Sequence, residues 1–162
     1  DNIKERIERG LLDVGLLQEP VDISKYSFVR TPCREQWGVL VHEDSELASK
    51  ESVSPAELAS VPLILPERES VQNELFNWFG SYAESLRITA TGNLLYNLAS
   101  LARASGGSVL TLNLDCNYEG LRFIPLSPPL ESNTVLVWKK TQTFSTAAAA
   151  FIEFSEKYIS GI

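Results

Sequence analysis

Methionine is absent from these 162 residues, histidine occurs once and cysteine twice. A chain without Met that opens inside a helical pattern, Asp1-Asn2-Ile3-Lys4-Glu5-Arg6, reads as a piece of a longer protein, and this charged start is not a signal peptide. Cys33 and Cys116 lie far apart and lack metal-ligand spacing. A chain of this size does not need a disulfide staple, so two free thiols in a reducing cytosol are expected, with no metal centre and no cofactor. Positive charge is also scarce. Fourteen Lys and Arg face twenty-one Asp and Glu, a net charge of −7. Phosphate affinity is mostly neutralisation by basic side chains, so the chain itself lacks the footprint of a nucleic-acid binder or of a protein held on an acidic membrane. No apolar stretch approaches the ~20 residues of a membrane span. Catalytic signatures are missing too: there is no Gly-x-Ser-x-Gly elbow, no phosphate loop ending in Lys-Ser/Thr and no His-Glu-x-x-His. No catalytic residue is assigned, and an enzyme is not expected.

What the chain does contain is a charged fraction of 22% and an apolar fraction of 44%, the balance of a soluble globular protein with a sizeable core. Ile3, Ile7 and Leu11 recur at four-residue spacing, with Asp1 as a cap and Gly10 as a stop, which predicts a short amphipathic helix. Leu11 to Leu17 then reads as a strand buried on both faces. Tyr26 to Thr31 and Gln36 to His42 read as two further strands separated by Pro32 to Glu35. Ser54-Pro55-Ala56-Glu57 is a helix start with a capping box, and Leu63-Ile64-Leu65 a buried strand ended by Pro66.

Helical spacing of Val71, Leu75, Trp78, Phe79 and Tyr82 predicts a helix over about 70–82, and Leu86 to Ala90 a strand. Thr91-Gly92-Asn93 is a turn into a helix that Gly106-Gly107 ends. Strands follow at Val109 to Leu114, Leu121 to Leu126 and Thr134 to Lys139, and Ser145 opens a last helix through Phe151, Phe154 and Tyr158. Strands alternating with helices over short connections predict an α/β chain with largely parallel sheets. Two stretches, Arg34 to Val39 and Ile124 to Leu130, look like crossings between two lobes.

Three places could carry chemistry. Glu67-Arg68-Glu69 follows a buried strand and precedes a helix, so it either faces a ligand at the helix N-terminus or is a solvated loop. At Thr91-Gly92-Asn93 the alternatives are anion binding, or capping of the next helix by Asn93 as the default. Asp13, inside an apolar run, reads as a carboxylate satisfied by backbone N–H groups. His42 reads as a strand-end surface residue, the aromatic row Phe76, Trp78, Phe79 and Tyr82 as packing, and Trp37 as hinge packing.

The order of these features resembles a family. Gly10-Leu11-Leu12-Asp13-Val14-Gly15 after an amphipathic helix is similar to the Gly-x-Leu-Asp segment of LysR-type transcriptional regulators. Gly38-Val39-Leu40-Val41-His42 leading to Ser45-Glu46-Leu47-Ala48 resembles that family's strand and His-Pro-Leu-Ala stretch. Val53 to Leu58 followed by Val61-Pro62-Leu63-Ile64 resembles its short helix and strand. Asn93 to Gly107 resembles the helix that ends in a Gly pair, and Ser145 to Phe154 the closing Ser-x-Ala-Ala-x-x-Phe helix. The ordered set spans essentially the whole chain.

The resemblance implies a two-lobed fold like type 2 periplasmic binding proteins, with the winged helix-turn-helix and the first β–α–β portion of lobe one not in this chain. Lobe one would hold residues 1–36 and 126–162, and lobe two residues 37–125. The implied function is a cytoplasmic effector-binding domain that senses a small, anionic molecule in the inter-lobe cleft and mediates homodimerisation. DNA would be reached only through the absent N-terminal domain. Effector contacts are expected from Pro66, Glu67 and Arg68, from Thr91, Gly92 and Asn93, and from Thr31 and Cys33, with Arg68 pairing a carboxylate. Hinge residues are expected at Arg34, Trp37 and Pro125. The alternative is a solute-binding protein of a transport system with the same fold. Self-association is also expected, through apolar surface at Ile3, Ile7 and the strand from Leu11 to Leu17.

Overall fold

The computed structural model describes residues 2–161. The expected cap Asp1 lies outside them. The chain divides into two compact units, one holding the chain up to Arg34 and from Ser132 onward, the other Glu35–Glu131.

The first unit opens with helix α1 (Asn2–Glu8), whose inner residue Ile7 is fully buried. Gly10 adopts a positive φ of 70° and turns the chain out of the helix. Leu11 falls beyond α1 and is 68% exposed, so the apolar repeat stops one turn earlier than its spacing predicts. Strand β1 (Val14–Gln18) is buried on one face only, with Leu16 exposed, which corrects the expectation of a strand covered on both sides. It pairs antiparallel with β7 (Glu131–Lys139), and β7 lies between β1 and the first part of β2 (Tyr26–His42). Ile7 packs with Leu17, Tyr26, Val135 and Val137. It therefore keeps its neighbours and offers no exposed surface for self-association. Helix α5 (Thr146–Ser160) is capped by Ser145, whose hydroxyl accepts from the Ala148 N–H, and buries Ile152 against Leu136 and Trp138. Phe151, Phe154 and Tyr158 face outward. Asp13 takes its hydrogen bond from the Gln142 side chain at 3.1 Å, not from backbone N–H groups.

Strand β2 is continuous across Pro32. Proline's fixed φ suits extended backbone and removes only one donor, so the two short strands expected there are one. The second unit carries the strand order β6-β2-β5-β3-β4, built from β3 (Pro62–Pro66), β4 (Arg87–Gly92), β5 (Ser108–Leu112) and β6 (Leu121–Pro125). Among the described residues, the pairings of β3 with β4 and with β5 are parallel, as is the isolated bridge between Val53 and Leu126. Strand β2 runs antiparallel to both β5 and β6, so the sheet is mixed and not largely parallel.

Two apolar layers cover this sheet. On one face α2 (Pro55–Ala59) and α3 (Glu69–Phe79) bury Leu58, Val71, Leu75 and Phe79 against Trp37, Val39, Val41, Leu63 and Leu65. On the other, α4 (Leu95–Ser105) buries Leu98, Ala99 and Ala102 against Leu40, Ile64 and Val109. The alternation of Val39 and Leu40, and of Leu63 and Ile64, between these layers is the period-two signature of strands covered on both faces. The capping box at Ser54 forms as expected, with the Ser54 N–H donating to Glu57 Oε2 at 2.8 Å. The predicted helix over 70–82 breaks at Gly80, φ 56°, into a 3-10 segment over Gly80–Ser85 that leaves Tyr82 exposed. Gly106 ends α4 in the left-handed conformation. Among the described residues, no helix is long and apolar enough to cross a membrane.

Candidate functional site

Parallel pairing of β3 and β4 places Leu65 beside Thr91 and Pro66 beside Gly92. Both strands therefore end at the same level, and each is followed within a few residues by a helix. This is the end of an α/β sheet at which ligands collect, because strand carboxyl ends deliver the chain to helix N-termini.

Backbone and side chains tie the two strand-to-helix turns together. The Glu67 N–H donates to the Gly92 carbonyl at 2.9 Å. The Asn93 amide nitrogen donates to Glu67 Oε1 at 2.7 Å. Asn93 is thus committed to Glu67 and does not cap α4; the cap position belongs to Leu94, which has no side-chain acceptor. Helix α3 begins the same way. Arg68 occupies its cap position without a side-chain capping hydrogen bond, while its carbonyl accepts from the Val71 and Gln72 N–H groups at 3.0 Å. Neither helix start is closed by a capping side chain, so the positive end of each dipole opens onto the same rim. Gln72 fixes the first turn by donating from Nε2 to the Pro66 carbonyl at 2.7 Å. Burial pulls the Arg68 guanidinium below its ordinary pKa, and the nearby Glu74 carboxylate opposes that.

Six expected effector residues, Pro66, Glu67, Arg68, Thr91, Gly92 and Asn93, are accordingly brought together at one end of the second unit. Gly92 lies close to α4: a Cβ there would stand 2.7 Å from Leu98 Cδ2, so the leucine would have to shift. Thr31 and Cys33 belong to the first unit. The Thr31 hydroxyl donates to the Thr134 carbonyl at 3.0 Å, and Cys33 is an exposed free thiol, as is Cys116. Of the expected hinge residues, Arg34 is the last residue of its unit's first segment. Trp37 is buried in the core of the second unit, and Pro125 closes β6 opposite Gly38. Two residues at this rim escaped the sequence reading. Gln72 sits in the first turn of a helix with its acceptor on the preceding strand, and Leu94 breaks the rule that a cap is polar. Among the described residues, no group of His, Cys, Asp and Glu could hold a metal ion.

A profile described as the LysR substrate binding domain matches residues 1–159. Solved structures similar in fold include the effector binding domain of QuiR in complex with shikimate, with a TM-score of 0.82 at 16% identity over 99% of this chain and 78% of that one. The CcmR regulatory domain of Synechocystis PCC6803, in complex with 2-PG, gives 0.79 at 13% identity over 98% and 78%. HinK, a LysR family transcriptional regulator from Pseudomonas aeruginosa, gives 0.77 at 18% identity, with 98% of this chain covering 57% of HinK.

Proposed function

The chain belongs to the LysR substrate binding domain family, and from that premise we propose that it is the effector-sensing part of a transcriptional regulator, taking a small anionic molecule at the ends of β3 and β4. The observation that carries the anionic reading is the joint presence of Arg68 and two helix starts without side-chain caps on one rim. A carboxylate there meets a planar guanidinium fork and free dipole ends at once. The shikimate held by QuiR and the 2-PG held by CcmR support a small-molecule ligand.

On this reading the chain is part of a cytoplasmic regulator that works as a homodimer or higher oligomer. The exposed Ile88 on β4, one of the two edge strands of the second unit's sheet, supports self-association. DNA is contacted by a part of the protein outside this chain, in keeping with the net charge of −7. Titration calorimetry with shikimate, citrate, benzoate and inorganic phosphate, at low and at physiological salt, tests the proposal. Saturable heat from at least one of them, weakening as salt rises, is the expected result. No heat from any of the four refutes the anionic assignment.

A further inference from the structure

We propose that a cleft on the α4 side of the second unit is a second small-molecule site, separate from the rim at β3 and β4, and that it takes a single-ring aromatic carboxylate. The cleft has a volume of about 260 Å³ and lies between α4 and the turn that leads into β6. A cavity of about 150 Å³ already holds benzene, and drug-sized ligands fill clefts of about 300–1,000 Å³. The space therefore suits one substituted ring and no larger body.

Its lining supplies both halves of such a molecule's recognition. Ala99 and Leu121, buried in the α4 layer, form an apolar floor. Tyr96 and Tyr118 add two rings, and among the described residues neither stacks on another aromatic side chain. Tyr96 is 73% exposed on its helix, apolar surface that a planar ligand would cover. Burial first, and then Cys116, pushes the Tyr118 phenol up, so it stays neutral and does not repel an anion. Arg103 stands on the same face of α4 as Tyr96, two turns further on. Its Nη1 lies 3.8 Å from Glu119 Oε2, long for an ion pair, and the Glu119 side chain is 96% exposed. A pair of that kind contributes little, so an arriving carboxylate can displace Glu119 into water and take the guanidinium fork. The Ser100 hydroxyl is already committed to the Tyr96 carbonyl at 2.9 Å, which leaves Arg103 as the charged donor of the cleft.

The wall opposite α4 is held in place. The Leu121 N–H donates to the Tyr118 carbonyl, and the Glu43 N–H to the Gly120 carbonyl, each at 3.0 Å. Gly120 turns with a φ of 74° beside the Arg103 stem, where a Cβ would lie 3.7 Å from Arg103 Cδ. Strand register separates this cleft from the rim. Leu121 pairs with His42 at one end of β6, and Pro125 with Gly38 at the other. Gly38 also pairs with Thr111, and continuing the β5–β3 register from Ile64↔Val109 sets Thr111 level with Pro66. The rim thus lies at the Pro125 end of the sheet, about 13 Å along β6 from Leu121.

The test is a ¹⁵N–¹H titration of this chain with phenylacetate, with acetate, which lacks the ring, and with phenylacetamide, which lacks the charge. Phenylacetate should give saturable shifts of the Arg103, Glu119 and Leu121 amides, and each of the other two should bind there about tenfold more weakly or not at all. Arg103→Ala, at a half-exposed position, should weaken phenylacetate about tenfold with all three indole signals retained, while Arg68→Ala leaves the cleft's affinity unchanged. Equal shifts with acetate would reduce the cleft to a surface charge and overturn the proposal. So would phenylacetate shifts confined to Glu69 and Ser70 at the rim, an affinity that Arg103→Ala leaves unchanged, or no shift at all. None of these outcomes bears on whether the rim binds its own ligand.

Discussion

Replacing Gly92 by Ala puts one methyl group where β4 turns toward α4. The added Cβ would lie 2.7 Å from Leu98 Cδ2 and 3.5 Å from Leu98 Cγ. Leu98 is 8% exposed and packed against Ile64, Ala99, Ala102 and Val109, so it cannot swing into solvent. Forcing it off its rotamer and shifting α4 costs about 1–3 kcal/mol by analogy with other overpacked cores. The narrower unfolded ensemble of Ala gives back about 0.4–1 kcal/mol. A net loss of about 1–2 kcal/mol is expected. Leu98→Ala alone should cost about 2–5 kcal/mol through the cavity it leaves. In the double variant the new methyl enters that cavity, so the two losses should fall short of their sum by about 1 kcal/mol or more. Urea denaturation of the four proteins reads this directly. A Gly92→Ala variant as stable as the parent, with losses strictly additive in the cycle, would refute the close approach of β4 and α4 at the rim.

Ser54→Ala should cost about 1 kcal/mol of stability, since it removes the cap of α2. The Lys50 ammonium, and after it the Ser54 hydroxyl and N–H, hold the Glu57 carboxyl down at about 2. Its contribution is therefore complete above the ordinary value near 4.5 and fades as pH falls toward 2, which carboxyl NMR titration and acid denaturation would show together. Burial first, then the bond to Glu8, pushes the Tyr26 phenol up to about 12. The unfolded chain ionises near 10, so stability should decline as pH rises from 10 to 12, and ultraviolet titration should find one tyrosine that resists ionisation until then. The chain alone should leave DNA mobility unchanged at physiological salt, and a clear shift in a gel assay would contradict the charge argument.

Local chemistry made some of this structure legible in the sequence, and long-range pairing hid the rest. Ser54-Pro55-Ala56-Glu57 forms its cap within four residues, and Gly106 ends α4 through its own φ, so both could be read from their neighbours. Sheet direction could not. Which partner β2 takes depends on contacts with Leu110 and Ile124, far along the chain. Pro32 looked like a break because its lost donor weighs heavily in a local reading, yet extended backbone accommodates it. At the site, Glu67, Arg68, Thr91 and Gly92 stood out because each lies where an apolar strand meets a helix. Asn93 looked like a cap because nothing nearby competes for it. Its actual partner, Glu67, lies twenty-six positions away. Trp37 read as hinge packing, because its burial in the second unit's core is visible only once that core is assembled.

The most direct measurement of the central claim compares Arg68→Ala with Arg30→Ala by calorimetry, using whichever of the four acids binds the parent chain. Both variants remove one positive charge, but Arg30 belongs to the first unit, where its guanidinium pairs with Glu19 at 2.9 Å. Loss of a charged hydrogen bond to the ligand should weaken binding by roughly ten- to a hundredfold in Arg68→Ala and leave Arg30→Ala at the parental affinity. Equal affinities in the two variants would contradict an effector site at the ends of β3 and β4.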